Sequence, residues 1–435
     1  MERTSAFSGL RCVTCGRQFA PDEVLYTCPS CGPLTGTLDV LYDREWLAGR
    51  FSAAVLANRS EPSLWRYREI LPIRDAGARP YPPVGMSPLG LVPESLLGGL
   101  AAPSQGDASV PLPARLWIKD DTRHPSCSSK DRASTVALAR ARELGVSVVA
   151  AASTGNAASS LATLAAPAGM ECLIFAPATA PAAKLVQIRI HGARLFTVDG
   201  TYDQAFDLCA ELCAASGIYS RNTATNPVLG EGKKTIALEI WEQLGFRVPD
   251  AVVVPVGDGC ILGGVAKGFH DLLDLDLIPR LPRLIGVQAE GSAALANAWR
   301  AGKSSCDPVA ASTVADSISV SQPRDQVKAL RAVRESAGTF VVVSDEAILA
   351  AMSALASRLG LFAEPAAAAA FAGVRQGVLD GVIATDEEVV VVVTGHGLKD
   401  IAAARRAAEW NPPIRIGAGR GELEKIRRLV EEGWS

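Results

Sequence analysis

Ala251-Val252-Val253-Val254-Pro255-Val256 runs directly into Gly257-Asp258-Gly259-Cys260-Ile261-Leu262-Gly263-Gly264. A continuous Val run with no polar alternation predicts a strand buried on both faces, as in a parallel sheet covered by helices. The glycines predict a tight turn, and the apolar residues beyond it a helix. Such a turn is a phosphate cradle, because the backbone can approach the anion and the helix N-terminus favours its charge. It is not the G-x-G-x-x-G fingerprint and lacks the Lys-Ser/Thr ending of a nucleotide P-loop. It therefore suits a single phosphate better than a dinucleotide.

The same pattern repeats on both sides. Leu116–Lys119, Val146–Ala151, Glu171–Ala176, Arg194–Val198, Pro282–Ala289, Gly338–Val343 and Glu388–Thr394 read as further strands, with 250–256 the strand just quoted. Helical spacing occupies Arg132–Leu144, Ala157–Ala166, Ala182–Ile190, Tyr202–Ser216, Lys234–Leu244 and Asp345–Leu359. The fold class is α/β, with two open, mostly parallel sheets. Ligands of such folds bind at the carboxyl ends of strands, so the strand-to-helix turns carry the chemistry. No internal repeat is found.

A chain of 435 residues exceeds one ordinary core. A hydrophobic content of 48% with 20% charged residues is that of a globular protein. The net charge of -3 gives no reason to expect nucleic acid or an anionic membrane as partner. No run approaches the ~18 apolar residues that span a bilayer. Met1-Glu2-Arg3-Thr4-Ser5 lacks the apolar core of a secretory signal, so a cytoplasmic enzyme is expected.

Four of the ten cysteines form two knuckles, Cys12-Val13-Thr14-Cys15 and Cys28-Pro29-Ser30-Cys31. Two Cys-x-x-Cys turns can complete a tetrahedral sulfur site, which predicts a structural zinc. Four thiolates leave no open position for catalysis. A metal-free knuckle or a pair of disulfides is the competing reading. Arg17 to Thr27 between them reads as a short hairpin. The expected organisation is a four-cysteine, zinc-ribbon-like element at 1–45 and an N-terminal arm at 46–113. A large domain follows, from 114–150 and 226–410, with a small substrate-side domain at 151–225 and a C-terminal helix within 411–435. Within the arm, the stretch 101–113 is rich in Pro, Ser, Ala and Gly and reads as a loop.

Three more turns stand out. In 120–132, Lys130 follows a run of small polar residues and opens a helix. A lysine held there near a pocket floor is a candidate nucleophilic amine, although a first-turn lysine is ordinarily solvated. Ser153-Thr154-Gly155-Asn156 follows a strand and precedes a helix. It reads either as a carboxylate site or as a plain N-cap. Thr394-Gly395-His396-Gly397 ends the most apolar strand, where a hydroxyl can reach a heterocyclic nitrogen. His396 is a candidate base or a packed structural histidine.

Together and in this order, the four turns resemble those of the threonine synthase family within the fold type II, tryptophan-synthase-β-like pyridoxal-phosphate (PLP) enzymes. The segments at 191–204, 226–240, 343–370 and 393–400 are similar to family segments in the expected order, and the two cysteine knuckles resemble those of some members. The resemblance implies the following roles. Lys130 carries PLP as a Schiff base and moves protons. Asn156 meets the PLP 3′-oxygen, Gly257, Asp258, Gly259, Cys260 and Ile261 hold its phosphate, and Thr394 faces its ring nitrogen. Ser153, Thr154 and Gly155 hold the substrate carboxylate, and Lys233 lies on the substrate side. Cys12, Cys15, Cys28 and Cys31 ligate zinc.

The implied activity is a carbon–oxygen lyase reaction: loss of phosphate from O-phosphohomoserine and addition of water, giving threonine. A homodimer is implied as well. Four positions depart from the family pattern. Ser129 replaces a Phe. Asp258 and Ile261 replace small polar or Asn residues. Leu229 stands where an Arg helps bind the substrate phosphate, a contact Leu cannot make. These departures motivate a second reading: replacement or elimination on another amino acid, such as O-phosphoserine with sulfite, or threonine or serine dehydration. A non-catalytic scaffold is a third reading, and the intact Lys130 and Thr394 turn argue against it.

Overall fold

A computed structural model describes residues 3–101, 109–153, 155–178, 180, 182–419 and 421–431. Two of the three sheets carry the α/β architecture. The larger has six strands in the order Thr339–Val343, Arg283–Ala289, Ala251–Pro255, Glu388–Val393, Arg115–Asp120 and Leu89–Leu91. All its neighbours are parallel except Leu89–Leu91, which runs antiparallel at the edge. The smaller is wholly parallel, in the order Arg194–Val198, Glu171–Pro177, Val148–Ala152 and Tyr219–Ser220.

The valine runs are buried for the reason their composition suggests. Val389–Val393 and Val252–Val254 are fully buried, with helices on both faces of the sheet. Each such side chain contributes roughly 1.5–3 kcal/mol of transfer free energy, an upper figure because denatured chains already bury some surface. Strand Glu388–Val393, last in sequence, inserts between strands 251–255 and 115–120. The direction of winding reverses there, leaving a crevice beyond the strand ends.

The third sheet is the small antiparallel one at the N-terminus, Gln18–Phe19, Phe7–Cys12 and Leu38–Tyr42. The expected hairpin at 17–27 does not form. That segment gives two strand residues, which pair back onto Leu10 and Arg11 because Phe19 joins the apolar cluster of Phe7, Leu10 and Leu38. In the arm, Trp65 and Tyr67 are buried in a helical segment, Leu64–Ile70. The tail carries a helix at Glu422–Glu431 with no buried residue. Among the described residues no helix is long and apolar enough to cross a membrane.

Candidate active site

All four turns singled out in the sequence lie at the carboxyl ends of parallel strands. Strand 251–255 delivers the glycine turn, 388–393 delivers Thr394, and 115–120 leads to Lys130. From the smaller sheet, 148–152 leads to Ser153. Lys130, Asn156, Lys233, Thr394 and the whole turn Gly257–Ile261 line one cavity of about 590 Å³. Ser153, Gly155 and Asn156 line an adjoining cleft of about 1350 Å³ that also contains Lys130. Thr154 lies outside the described residues.

Lys130 is the first residue of helix Lys130–Glu143. The next two residues anchor it. The Asp131 carboxylate accepts Ser126 N–H at 2.7 Å and its hydroxyl at 2.5 Å. Arg132 is fully buried and donates to both oxygens of Asp121, at 2.8 and 2.7 Å, to both of Glu239, and to Thr235 Oγ1. Lys119 completes this cluster with a 2.6 Å bond to Glu239. The Lys130 amine itself has no hydrogen bond or ion pair among the described residues. Burial and then repulsion from Lys233 push its pKa down to about 8. A free amine with that pKa is a competent nucleophile near neutral pH.

The glycine turn is shaped for close approach. Gly259 has φ +91° and caps helix Cys260–Asp274. A Cβ on Gly259 would lie 2.6 Å from Ala329 Cβ, and one on Gly257 2.9 Å from Ile318 Cα. Asp258 lines the cavity, and its carboxylate accepts Arg324 N–H at 3.1 Å, which braces the next segment. Burial raises the Cys260 thiol to about 12, so it packs as a neutral group. The helix N-terminus, the free lysine and the Thr394 hydroxyl together fit a phosphorylated pyridine aldehyde.

Four residues of the cavity and its cleft were not legible as site residues. Glu364, 2% exposed, accepts Asn156 Nδ2–H at 2.7 Å, and its Oε2 has no partner. Ser317 also meets Asn156, at 3.3 Å. Asp316 joins Lys184 at 2.5 Å, linking the loop over the site to helix Ala182–Ile190. Thr223 lines both the cavity and the cleft. Only Glu364 left a trace in the sequence, in the Glu364-Pro365 step before the alanine run.

His396 is not in this cavity. Its Nδ1 accepts Leu398 N–H at 3.1 Å and its ring packs edge-on against Phe362. Cys127 faces a separate cleft with Lys184, Gln187 and Lys399. Leu229 is buried in the core cluster with Val136 and Val228, not in the cavity.

The N-terminal thiols do come together. The sulfurs of Cys12, Cys15, Cys28 and Cys31 lie within 4.8 Å of one another, and all four cysteines are free of disulfides.

The family described as pyridoxal-phosphate dependent enzyme matches residues 107–395, which contain every residue of this cavity. The threonine synthase of Methanocaldococcus jannaschii is 37% identical over 97% of this chain and 99% of its own length. That of Methanosarcina acetivorans is 39% identical over 90% and 92%. The chain belongs to the threonine synthase family of PLP-dependent enzymes. Its function is accordingly that of a threonine synthase-like PLP-dependent lyase. The fold is shared more widely. Threonine deaminase isoform 2 of Solanum lycopersicum superposes with a TM-score of 0.61 at 24% identity, covering 75% of this chain and 88% of that one. Maize serine racemase does so with 0.58 at 19%, covering 79% and 93%.

Proposed function

We propose that the protein eliminates phosphate from O-phosphohomoserine and adds water to give threonine. The observation that carries this reading is the unpaired Lys130 amine in one cavity with the glycine turn, Asn156 and Thr394. PLP, when bound, supplies an electron sink for negative charge at the substrate α-carbon. The backbone amides of Gly257–Ile261 and the helix behind them would hold its phosphate. Asn156 would serve its 3′-oxygen, and Thr394 would offer a neutral hydroxyl to its ring nitrogen. Without a carboxylate at that nitrogen, proton movement leans on Lys130, whose Nζ takes and returns the protons at the substrate carbons. Ser153 and Gly155, before helix Asn156–Ala165, would orient the substrate carboxylate, a role proposed for Thr154 as well. Lys233 lies on the substrate side. The Lys184–Asp316 pair holds the covering loop down over the site.

Incubating the PLP-loaded protein with O-phosphohomoserine should release threonine and phosphate in equal amounts. Neither product appearing would sink the proposal. The core position of Leu229 favours one competing reading, a relative acting on another amino acid. Turnover of O-phosphoserine with sulfite, or keto acid formed from threonine or serine, would identify it.

The cluster of Cys12, Cys15, Cys28 and Cys31 is proposed as a structural zinc site. Tetrahedral zinc with ~2.3 Å bonds to sulfur separates its ligands by ~3.8 Å, and Cys15 Sγ and Cys28 Sγ are 3.8 Å apart. Protein purified without chelator should carry one zinc per chain, and a Cys28→Ser variant should lose it. Metal-free, fully folded protein would contradict the assignment. A homodimer rests on the family resemblance, and sedimentation of the pure protein tests it.

A further inference from the structure

We propose that Asp39, on the N-terminal sheet, is a positioning residue for the cofactor's phosphate: it anchors helix Gln326–Glu335, which backs the glycine turn. This role rests on the reading of Gly257–Ile261 as the PLP phosphate site. It makes the four-cysteine element part of that site's support.

The helix and the turn touch without a gap. A Cβ on Gly259 would lie 2.6 Å from Ala329 Cβ, and one on Gly263 3.1 Å from Lys328 Cβ. The residues just before the helix hook the turn at Asp258. The Asp258 carbonyl accepts Asp325 N–H at 3.0 Å, and its carboxylate accepts Arg324 N–H at 3.1 Å. A close-packed interior transmits displacement, so the place of this helix sets the place of the turn's amides.

The same helix is also held from outside the two large sheets. Strand Leu38–Tyr42 presents Asp39 to it, and Asp39 is 5% exposed. Each carboxylate oxygen takes one cation, Arg331 Nη2 at 2.7 Å and Lys328 Nζ at 3.2 Å. Lys328 Nζ donates to Leu38 O as well, at 2.6 Å. Burial alone would raise the Asp39 carboxyl, but Lys328, Arg331 and Lys267 outweigh it and hold it well below the usual carboxylate range. Further along the strand, Tyr42 donates its hydroxyl to Glu231 of helix Val228–Gln243 at 2.5 Å. Helices 228–243 and 326–335 both lie against helix Cys260–Asp274, whose N-terminus forms the turn. One strand thus grips the helices that flank the phosphate cradle.

A buried ion cluster is by itself weak evidence for stability, because apolar residues of similar volume could replace it. What it supplies is geometry, since charge-assisted hydrogen bonds fix distance and direction. Leu38, next to Asp39, pairs with Cys12 across the N-terminal sheet. The cysteine knuckles therefore set where the Asp39 carboxylate stands.

The probes are PLP and pyridoxal, which lacks the phosphate, each titrated into PLP-free protein and followed by cofactor absorbance. Asp39→Asn should weaken PLP binding by roughly tenfold and leave pyridoxal binding unchanged. Hydrogen exchange at the amides of 258–263 should quicken in the same variant. A Lys328→Met/Arg331→Met protein, altered on the helix side only, should show the same loss, and adding Asp39→Asn to it should cost little more. Asp39→Glu, which keeps the charge, should recover part of the affinity. Unchanged PLP affinity in Asp39→Asn would overturn the proposal. An equal loss of PLP and pyridoxal would also overturn it, because the whole cavity would then have loosened. The role of Asp39 and the reading beneath it fail separately. Wild-type protein that prefers PLP to pyridoxal, with the preference intact in Asp39→Asn, refutes the role of Asp39 alone. Wild-type protein that binds the two equally refutes the turn as the phosphate site, and the positioning role with it.

Discussion

Two groups of buried cations adjoin each other where helix Lys130–Glu143 begins, and they are treated in opposite ways. On one side, Arg132 and Lys119 are fully buried and share Glu239, with Asp121 as a second partner for Arg132. Burial alone would raise Glu239, but Arg132 and Lys119 outweigh it and hold the carboxyl at about 2. On the other side, around the cavity, Lys130, Lys233 and Arg221 have no carboxylate partner, and burial pushes all three down, Arg221 to about 10. The same residue types at similar depth thus divide by whether the protein itself supplies the counter-charge. Where it does, the group braces the fold. Where it does not, two of the three cations, Lys130 and Lys233, line the cavity.

Breaking the first group should cost the most. Arg132→Met strands Asp121 and Glu239 as buried unpaired acids and should lower stability by about 3–5 kcal/mol, measured by urea unfolding. Glu239 is depressed in the folded state. Its contribution is therefore present above the ordinary glutamate value and lost as pH falls toward about 2. The variant should lack this contribution, so the stability gap between it and the wild type should narrow as pH falls toward about 2. The opposite sign is expected in the second group. Lys233→Met removes an unpaired buried charge and should stabilise the PLP-free protein by ~1 kcal/mol. Destabilisation on the scale of Arg132→Met would erase the distinction. The smallest effect concerns Lys130. Its pKa is lowered, so the neutral amine gains population as pH rises through about 8, not through the ordinary lysine range. The rate of PLP capture should follow that midpoint, and Lys233→Met should move it upward by removing the repulsion. Stopped-flow absorbance at ~410–430 nm, where bound cofactor absorbs, gives both midpoints.

The parallel sheets were legible because valine runs such as 251–256 and 388–394 carry a period-free apolar signal over the length of a strand. Other elements left weaker marks. Helix Pro365–Leu379 is buried over its whole first half, so its alanines show no polar face and no helical period. Leu89–Leu91 is three residues long and becomes a strand only by lying against 117–119. Asn156 and the glycine turn could be named because each follows closely on its own strand end, and Lys130 because it opens a helix after a run of small polar residues. Arg221 could not, because the strand before it, Tyr219–Ser220, is only two residues long and carries no apolar run.

The sequence by itself determined the α/β class, the order of the strand-to-helix turns and the lysine around which the cavity is built, since all of these depend on neighbours along the chain. Which cations are paired was decided only by the tertiary structure. Arg132 finds Glu239 107 residues away, while Lys233, six residues before that glutamate, is held against Gly264 with no partner among the described residues. Charge pairing is a short-range interaction in space, and folding sets those distances without regard to separation along the chain.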